Sequence, residues 1–225
     1  MFLLNLLKAR IANPRHKVTF AYYLKIINPM KVVLIISSIF VLIGIGQIYI
    51  SRSTQQTEQH RYKVIKQFDK FEIRKYDPAL FSSVKLNKKG YKESSSEGFG
   101  ILAGYIFGDN QTNEKIAMTS PVVMELGDTS KMLFMVPKNY TLKNLPTPKN
   151  GNIVFEKQEE KIMAAIRFDG WADDEKIEKY KSILRAELDK EKLNYIPKFI
   201  FLGYNPPFEV INRRNEVVVE LINYK

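Results

Sequence analysis

The sequence predicts an α+β protein: a pseudo-duplicated domain in which a curved antiparallel sheet or open barrel holds two helices, preceded by one N-terminal transmembrane helix. Three observations carry this reading. Val32 to Ile50 is a run of nineteen residues without a charge, long enough at 1.5 Å rise per residue to cross a hydrocarbon core of about 30 Å. Beyond it, alternating runs of strand character flank two stretches of helical spacing, and the order β-β-α-β-β occurs twice. Of 225 residues, 45% are hydrophobic and 26% charged, and only 21 are Gly or Pro, which excludes collagen-like, low-complexity and wholly disordered chains.

The elements follow in order. Residues 1–31 form a basic N-terminal segment with six Lys or Arg and no acid, so most of the net charge of +11 sits there and the remainder is only mildly basic. That distribution argues against nucleic acid as a partner. The apolar stretch Phe2 to Leu7 either lies on the membrane surface or frays as a tail. Residues 32–50 are the expected span, with Tyr22, Tyr23 and Tyr49 near its interfaces. A cleaved signal peptide is the main competitor, but the basic region is long and no A-x-A-like site follows. A buried core helix is the other alternative. Six cations before the run, against Arg52, Arg61, Lys63 and Lys66 after it, favour a single-pass topology with a cytosolic N-terminus and an extracytoplasmic C-terminal domain. Residues 51–60 are polar and read as a linker, leaving 61–225 as one domain.

Within that domain Phe71 and Ile73 alternate with Glu72 and Arg74, and Leu80, Ser82, Val84 and Leu86 follow the Asp77-Pro78 turn. Ser94 stands three before Glu97, a capping-box spacing; Phe99, Leu102 and Ile106 then recur at helical intervals until Gly108-Asp109-Asn110. Strands resume at Lys115 to Leu126 and Lys131 to Val136. After the break Pro146 to Gly151 the order repeats: strands Ile153 to Lys157 and Lys161 to Phe168, a helix opened by Asp173, Asp174 and Glu175 and carried by Ile177, Leu184 and Leu188, and strands Phe199 to Tyr204 and Glu216 to Ile222.

Four segments together resemble the SOUL haem-binding protein family: Phe71-Glu72-Ile73-Arg74-Lys75-Tyr76; Tyr105-Ile106-Phe107-Gly108 with Asn110; Ile116-Ala117-Met118-Thr119-Ser120-Pro121-Val122; and Tyr204-Asn205-Pro206-Pro207-Phe208 leading to Arg213-Arg214-Asn215-Glu216-Val217. The resemblance covers about residues 61–223. It implies a distorted antiparallel β-barrel of two pseudo-symmetric halves, each with one long helix, and binding of haem or another tetrapyrrole in a shallow apolar groove.

The candidate groove wall is the first domain helix. Gly100, Gly104 and Gly108 fall at i, i+4 and i+8 and leave bare backbone for a flat ring, beside Phe99, Leu102, Tyr105 and Ile106; alternatively the strip serves close helix-to-sheet packing. Met118 and Lys115 complete the candidate set, with Lys115 or Arg167 available for propionates. Met124, Met132, Met135 and Met163 are core residues or a deformable groove lining. Arg213 to Glu216 is expected to organise the turn into the last strand.

Iron ligation is not assigned. Cysteine is absent, His16 precedes the span, and His60 at the linker's end reads as an exposed histidine before it reads as an axial ligand. No G-x-S-x-G, P-loop, H-E-x-x-H or dinucleotide fingerprint occurs, so no catalytic residue and no metal site is named and the protein is not expected to be an enzyme. The expectation is a membrane-anchored, monomeric, non-enzymatic haem carrier, buffer or sensor, whose partner is haem or another planar apolar small molecule. Its rivals are an interaction module for protein or membrane with no haem role, and a small-molecule-sensing or hydrolysing barrel.

Overall fold

The computed structural model describes residues 29–127, 129–206, 208–210 and 212–224. The expectations placed on residues 1–28, including Phe2 to Leu7, His16, Tyr22 and Tyr23, and on Pro207 lie outside the described residues.

Helix α1 runs Pro29–Gln56. Its stretch Met30–Arg52, of mean hydropathy 2.4, is long and apolar enough to cross a membrane. Large side chains such as Leu34 and Phe40 stand 64% and 68% exposed, which is unlike a buried core helix. Ser37 and Ser38 donate their hydroxyls to the carbonyls of Val33 and Ile35, at 2.8 Å each, so neither hydroxyl is left unpaired within the apolar run. The expected linker differs from the structure: helix continues to Gln56, and strand β1 (Glu58–Gln59) follows. Ser51 to Gln56 contains neither Gly nor Pro, so nothing in it breaks the backbone ladder.

The domain strands are β2 (Tyr62–Gln67), β3 (Glu72–Tyr76), β4 (Ala79–Leu86), β5 (Thr119–Ser120), β6 (Val122–Glu125), β7 (Ser130–Met135), β8 (Ile153–Gln158), β9 (Lys161–Asp169), β10 (Ile200–Gly203) and β11 (Arg214–Glu220). Helices α2 (Gly90–Ile106) and α3 (Asp174–Lys190) divide the two series. Nine strands form one antiparallel sheet in the order β2-β3-β9-β11-β10-β6-β7-β4-β8. The duplication is therefore present, but the halves are interlocked. β3 of the first half pairs with β9 of the second, Ile73 opposite Ala164; β8 of the second pairs with β4 of the first, Phe81 opposite Glu156. A pseudo-dyad lies between β10 and β6. The expected barrel is corrected to a curled half-barrel, because β2 and β8 have one neighbour each and do not close on one another. Lysines and a bulge on β2 are features that discourage further pairing.

Alternation sorts side chains to two faces. Val217 and Val219 join Leu102, Ile106, Leu184 and Leu188 in the core under the helices, whereas Val218 joins Tyr76, Phe81, Leu133 and Leu202 on the far face. Each fully buried Leu contributes roughly 1.5–3 kcal/mol. Helix α2 lies over β4 and β7, and α3 over β9 and β11.

The expected capping box does not form. Helix α2 begins at Gly90, four residues before Ser94; buried Ser94 donates to the carbonyl of Lys88 and Glu97 pairs with the Lys88 ammonium. The cap comes instead from the other half: the Asp174 carboxylate accepts the amides of Tyr91 and Lys92. Gly90 is required there, since at φ +73 a Cβ would stand 2.6 Å from Asp174 Oδ1. Helix α3 has its own cap, Asp173 accepting from the Lys176 amide at 2.7 Å, as the acidic start of that helix suggested.

Candidate functional site

A helix turns 100° per residue, so Gly100 and Leu102 point to nearly opposite sides of α2. Leu102, Tyr105 and Ile106 are 0%, 2% and 4% exposed and belong to the core. The Tyr105 hydroxyl donates to the Pro146 carbonyl at 2.9 Å, and burial pushes its pKa up to about 12. Phe99 is half-buried, edge-on to Phe134. Gly100 and Gly104 face outward: a Cβ at Gly100 would meet nothing within 4 Å, and one at Gly104 only Asp109 Cβ at 3.9 Å. The glycine strip and the apolar stripe are thus not one surface, and Gly100 and Gly104 do not mediate helix-to-sheet packing either. Gly98 does, because a Cβ there would come within 2.8 Å of Leu86 Cδ1 and 3.1 Å of Met132 Cβ. Met118 is half-buried against the core and Lys115 is exposed beyond the helix. Met124, Met132, Met135 and Met163 are buried within the sheet.

A cleft does open beside the N-terminal half of α3, between it, the start of β10 and the segment that follows β6. Its volume is about 440 Å³, within the range of small-molecule sites. Ile177, Phe199, Phe201 and Val217 lie at its base as core residues, none more than 8% exposed. Leu126 and Gly127 form one wall, and Lys181 and Lys198 belong to the lining. Lys181 pairs with Glu178 at 2.9 Å and Lys198 with Glu125 at 2.7 Å. The acid of the first pair is exposed and such a pair is worth about 0–1 kcal/mol, so a ligand carboxylate can replace Glu178 at little cost; Glu125, its side chain 17% accessible, is more firmly held. Lys181 and Arg185 also stand 5.9 and 5.5 Å from the Phe199 ring centre. Two acids, Asp174 and Glu178, line the cleft beside the two lysines and the apolar residues; none of the lining residues is His, Cys, Met or Tyr, so they offer no side chain of the usual kinds for an axial iron ligand. The sequence signal for this cleft was weak: Ile177 is part of an ordinary amphipathic stripe, and Lys181 and Lys198 are two lysines among many.

The far face carries a buried ionic cluster. Glu216, 0% exposed, accepts from Arg74 at 2.6 and 3.1 Å, from Arg214 at 2.9 and 2.7 Å, and from the Tyr204 hydroxyl at 2.8 Å. Burial alone raises the pKa of this carboxyl, but hydrogen bonds and charge from the two arginines outweigh it and hold the value below normal. Burial, reinforced by the Glu216 charge, drives the Tyr76 and Tyr204 hydroxyls upward. Arg213 behaves as expected, donating to the carbonyls of Pro206 and Glu209 and so fixing the turn. Glu216 instead ties β11 to β3 through Arg74, and Arg214 donates to the Tyr62 hydroxyl on β2 at 2.9 Å, links between distant segments that sequence spacing does not reveal.

His60 is not an exposed histidine. Its ring lies 5.1 Å from that of Tyr76 and 5.5 Å from that of Phe81, and Nε2 is 2.7 Å from the Asp77 carbonyl. Burial lowers its pKa against the raising effect of Asp77. Its amide donates to Ser120, continuing the parallel pairing of β1 with β5.

A sequence model of the family described as SOUL heme-binding protein matches residues 57–220, beginning one residue after α1. Heme-binding protein 1 of Xenopus laevis is 29% identical over 155 residues, which cover 65% of this chain and 81% of that protein. Heme-binding protein 2 of Homo sapiens is 28% identical over 156 residues, covering 65% and 76%. Among solved structures, the EcmrR C-terminal domain superposes with a TM-score of 0.53 at 10% identity, covering 72% of this chain and 99% of that one. At that identity the likeness is one of fold.

Proposed function

The chain belongs to the SOUL heme-binding protein family, and from that premise we propose that its domain binds haem or a related tetrapyrrole in the cleft between α3 and β10, as a non-enzymatic carrier, buffer or sensor held at a membrane by α1. The observation that carries this reading is the combination in one cleft of an apolar floor, Ile177, Phe201 and Val217, with Lys181 and Lys198. The floor takes the ring by desolvation. The two ammonium groups meet its carboxylates, Lys181 turning from the exposed Glu178. When bound, haem supplies redox and ligand-binding chemistry; with no His, Cys, Met or Tyr lining the cleft, affinity comes from ring burial and charge pairing rather than from the iron. The length, apolarity and exposure of α1 support the anchor, and the six cations of the first 31 residues favour a cytosolic N-terminus.

The test is a hemin titration of the full chain in detergent. A saturable Soret change near one equivalent at micromolar concentration is expected. Lys181→Glu combined with Lys198→Glu should weaken it by about tenfold or more, the equivalent of one carboxylate contact turned from attraction to repulsion. No Soret change, or equal affinity in the double variant, removes the cleft from the reading.

A further inference from the structure

Strand β2 is an edge of the sheet, and Arg61 together with every β2 residue except Tyr62 is exposed. Its register slips between Val64 and Lys66, so Ile65 drops out of the pairing. Val64 and Ile65 stand 42% and 43% exposed, flanked by Arg61, Lys63 and Lys66. Cations on an edge strand are an ordinary guard against pairing; two neighbouring exposed aliphatics beside them are not. The other lysines of this hairpin are engaged, Lys70 with Glu187 and Lys75 with Glu160. Among the described residues, Arg61, Lys63 and Lys66 have no carboxylate at ion-pair distance. Lys66 lies over the Phe68 ring at 4.6 Å.

Covalent reach narrows the choice of partner. Tyr62 lies six residue steps beyond Gln56, the last of α1, and a fully extended chain of that length spans at most about 20 Å. The edge strand therefore begins within that distance of the helix end, whatever the orientation of the domain.

We propose that the β2 edge rests on the headgroups of the membrane that α1 crosses, Arg61, Lys63 and Lys66 meeting anionic phospholipid while Val64 and Ile65 enter the interfacial layer. This rests on the anchor reading above. Three exposed cations beside two aliphatics match a leaflet that presents anionic phospholipid on the side facing the domain, where each cation strengthens association by about fivefold.

The chain has no cysteine, so Ile65→Cys labelled with an environment-sensitive fluorophore reports this position alone. The full chain is placed in nanodiscs of POPC with about 30% POPG, or of POPC only. The expected result is a blue shift and protection from acrylamide in the anionic discs, absent in POPC, reversed by about 0.5 M NaCl, and lost in the variant carrying Arg61→Glu, Lys63→Glu and Lys66→Glu. Equal quenching in both disc types overturns the proposal while leaving the anchor intact. Protection in both types that survives salt points to strand pairing with a second copy and overturns it too. A chain that does not co-elute with discs at all sinks the anchor reading, and this one with it.

Discussion

Replacing Glu216 by Gln removes the one buried carboxylate between two arginines while keeping its shape. Arg74, 2% exposed, would retain only Glu72 at 2.8 Å and the Tyr76 hydroxyl at 3.1 Å, and the new amide would set N–H donors against guanidinium donors. Removing one partner of a buried pair costs about 3–5 kcal/mol, a large share of the 5–15 kcal/mol that holds a domain folded. At roughly 2–4 °C per kcal/mol for a domain of this size, the melting temperature should fall by about 6–20 °C. Thermal unfolding followed by circular dichroism at neutral pH measures it. The exposed pair Lys75–Glu160, its side chains 44% and 51% accessible, is the internal control, and Glu160→Gln should cost less than about 1 kcal/mol. The sign with pH follows from the depressed Glu216 value. Its contribution is complete above the ordinary 4.5 and is lost as pH falls through the lower folded value, so wild type and variant should converge in acid. Hemin affinity among folded molecules should be unchanged, because Glu216 and Val217 point to opposite faces of β11. A melting shift under about 3 °C at neutral pH, or a gap that does not narrow in acid, would show that the cluster is not what ties β3 to β11.

His60→Phe keeps the ring contacts with Tyr76 and Phe81 but removes the titration: because burial lowers the His60 pKa from 6.5, wild type should lose stability as pH drops below that value, and the variant should not, as chemical unfolding at pH 7 and pH 5 would reveal. Gly98→Ala forces a Cβ against Leu86 and Met132 and should destabilise by about 1–3 kcal/mol. Gly104→Ala, whose Cβ meets only Asp109 at 3.9 Å, should stabilise by up to about 1 kcal/mol through helix propensity; the opposite ranking of their unfolding midpoints would contradict the facing of α2. Asp174→Ala strips the cap from the start of α2, a loss of about 1 kcal/mol, and amide exchange at Tyr91 and Lys92 should rise with it.

What sequence made legible follows the range of the forces involved. Alternation in Lys161 to Phe168 and the acid-led start of α3 are local, and the structure has both. The apolar run after Lys31 is likewise a local signal, and α1 is there. Misplaced expectations are those that needed a partner far along the chain. Ser94 and Glu97 have capping-box spacing, but Asp174 caps the helix from the other half. Glycines at 100 and 104 stand out by their interval, yet the steric constraint falls on Gly98, which only the positions of Leu86 and Met132 disclose. The cleft was hidden for the same reason: Ile177, Phe201 and Val217 come from three elements, and no interval in the sequence joins them.

Two halves with the same order of elements need not yield two equivalent sites, and the helix contacts say why. A helix that meets its sheet through a glycine can lie closer than one that meets it through leucines. Helix α2 seats Gly98 against Leu86 and Met132 beside its core residues Leu102, Tyr105 and Ile106, whereas α3 presents Ile177, Leu184 and Leu188 with no glycine among them. The α2 side therefore closes, and the cleft takes Asp174, Ile177, Glu178 and Lys181 from α3 but only Gly90 from α2. Exchange of β3 and β8 between the halves locks this asymmetry in, since neither helix can shift without moving strands that the other half holds. Such a frame makes one ligand per chain the natural stoichiometry. It also predicts that enlarging Gly98 would disturb the cleft only through β6 and β7, at a distance, and not by contact with the ligand.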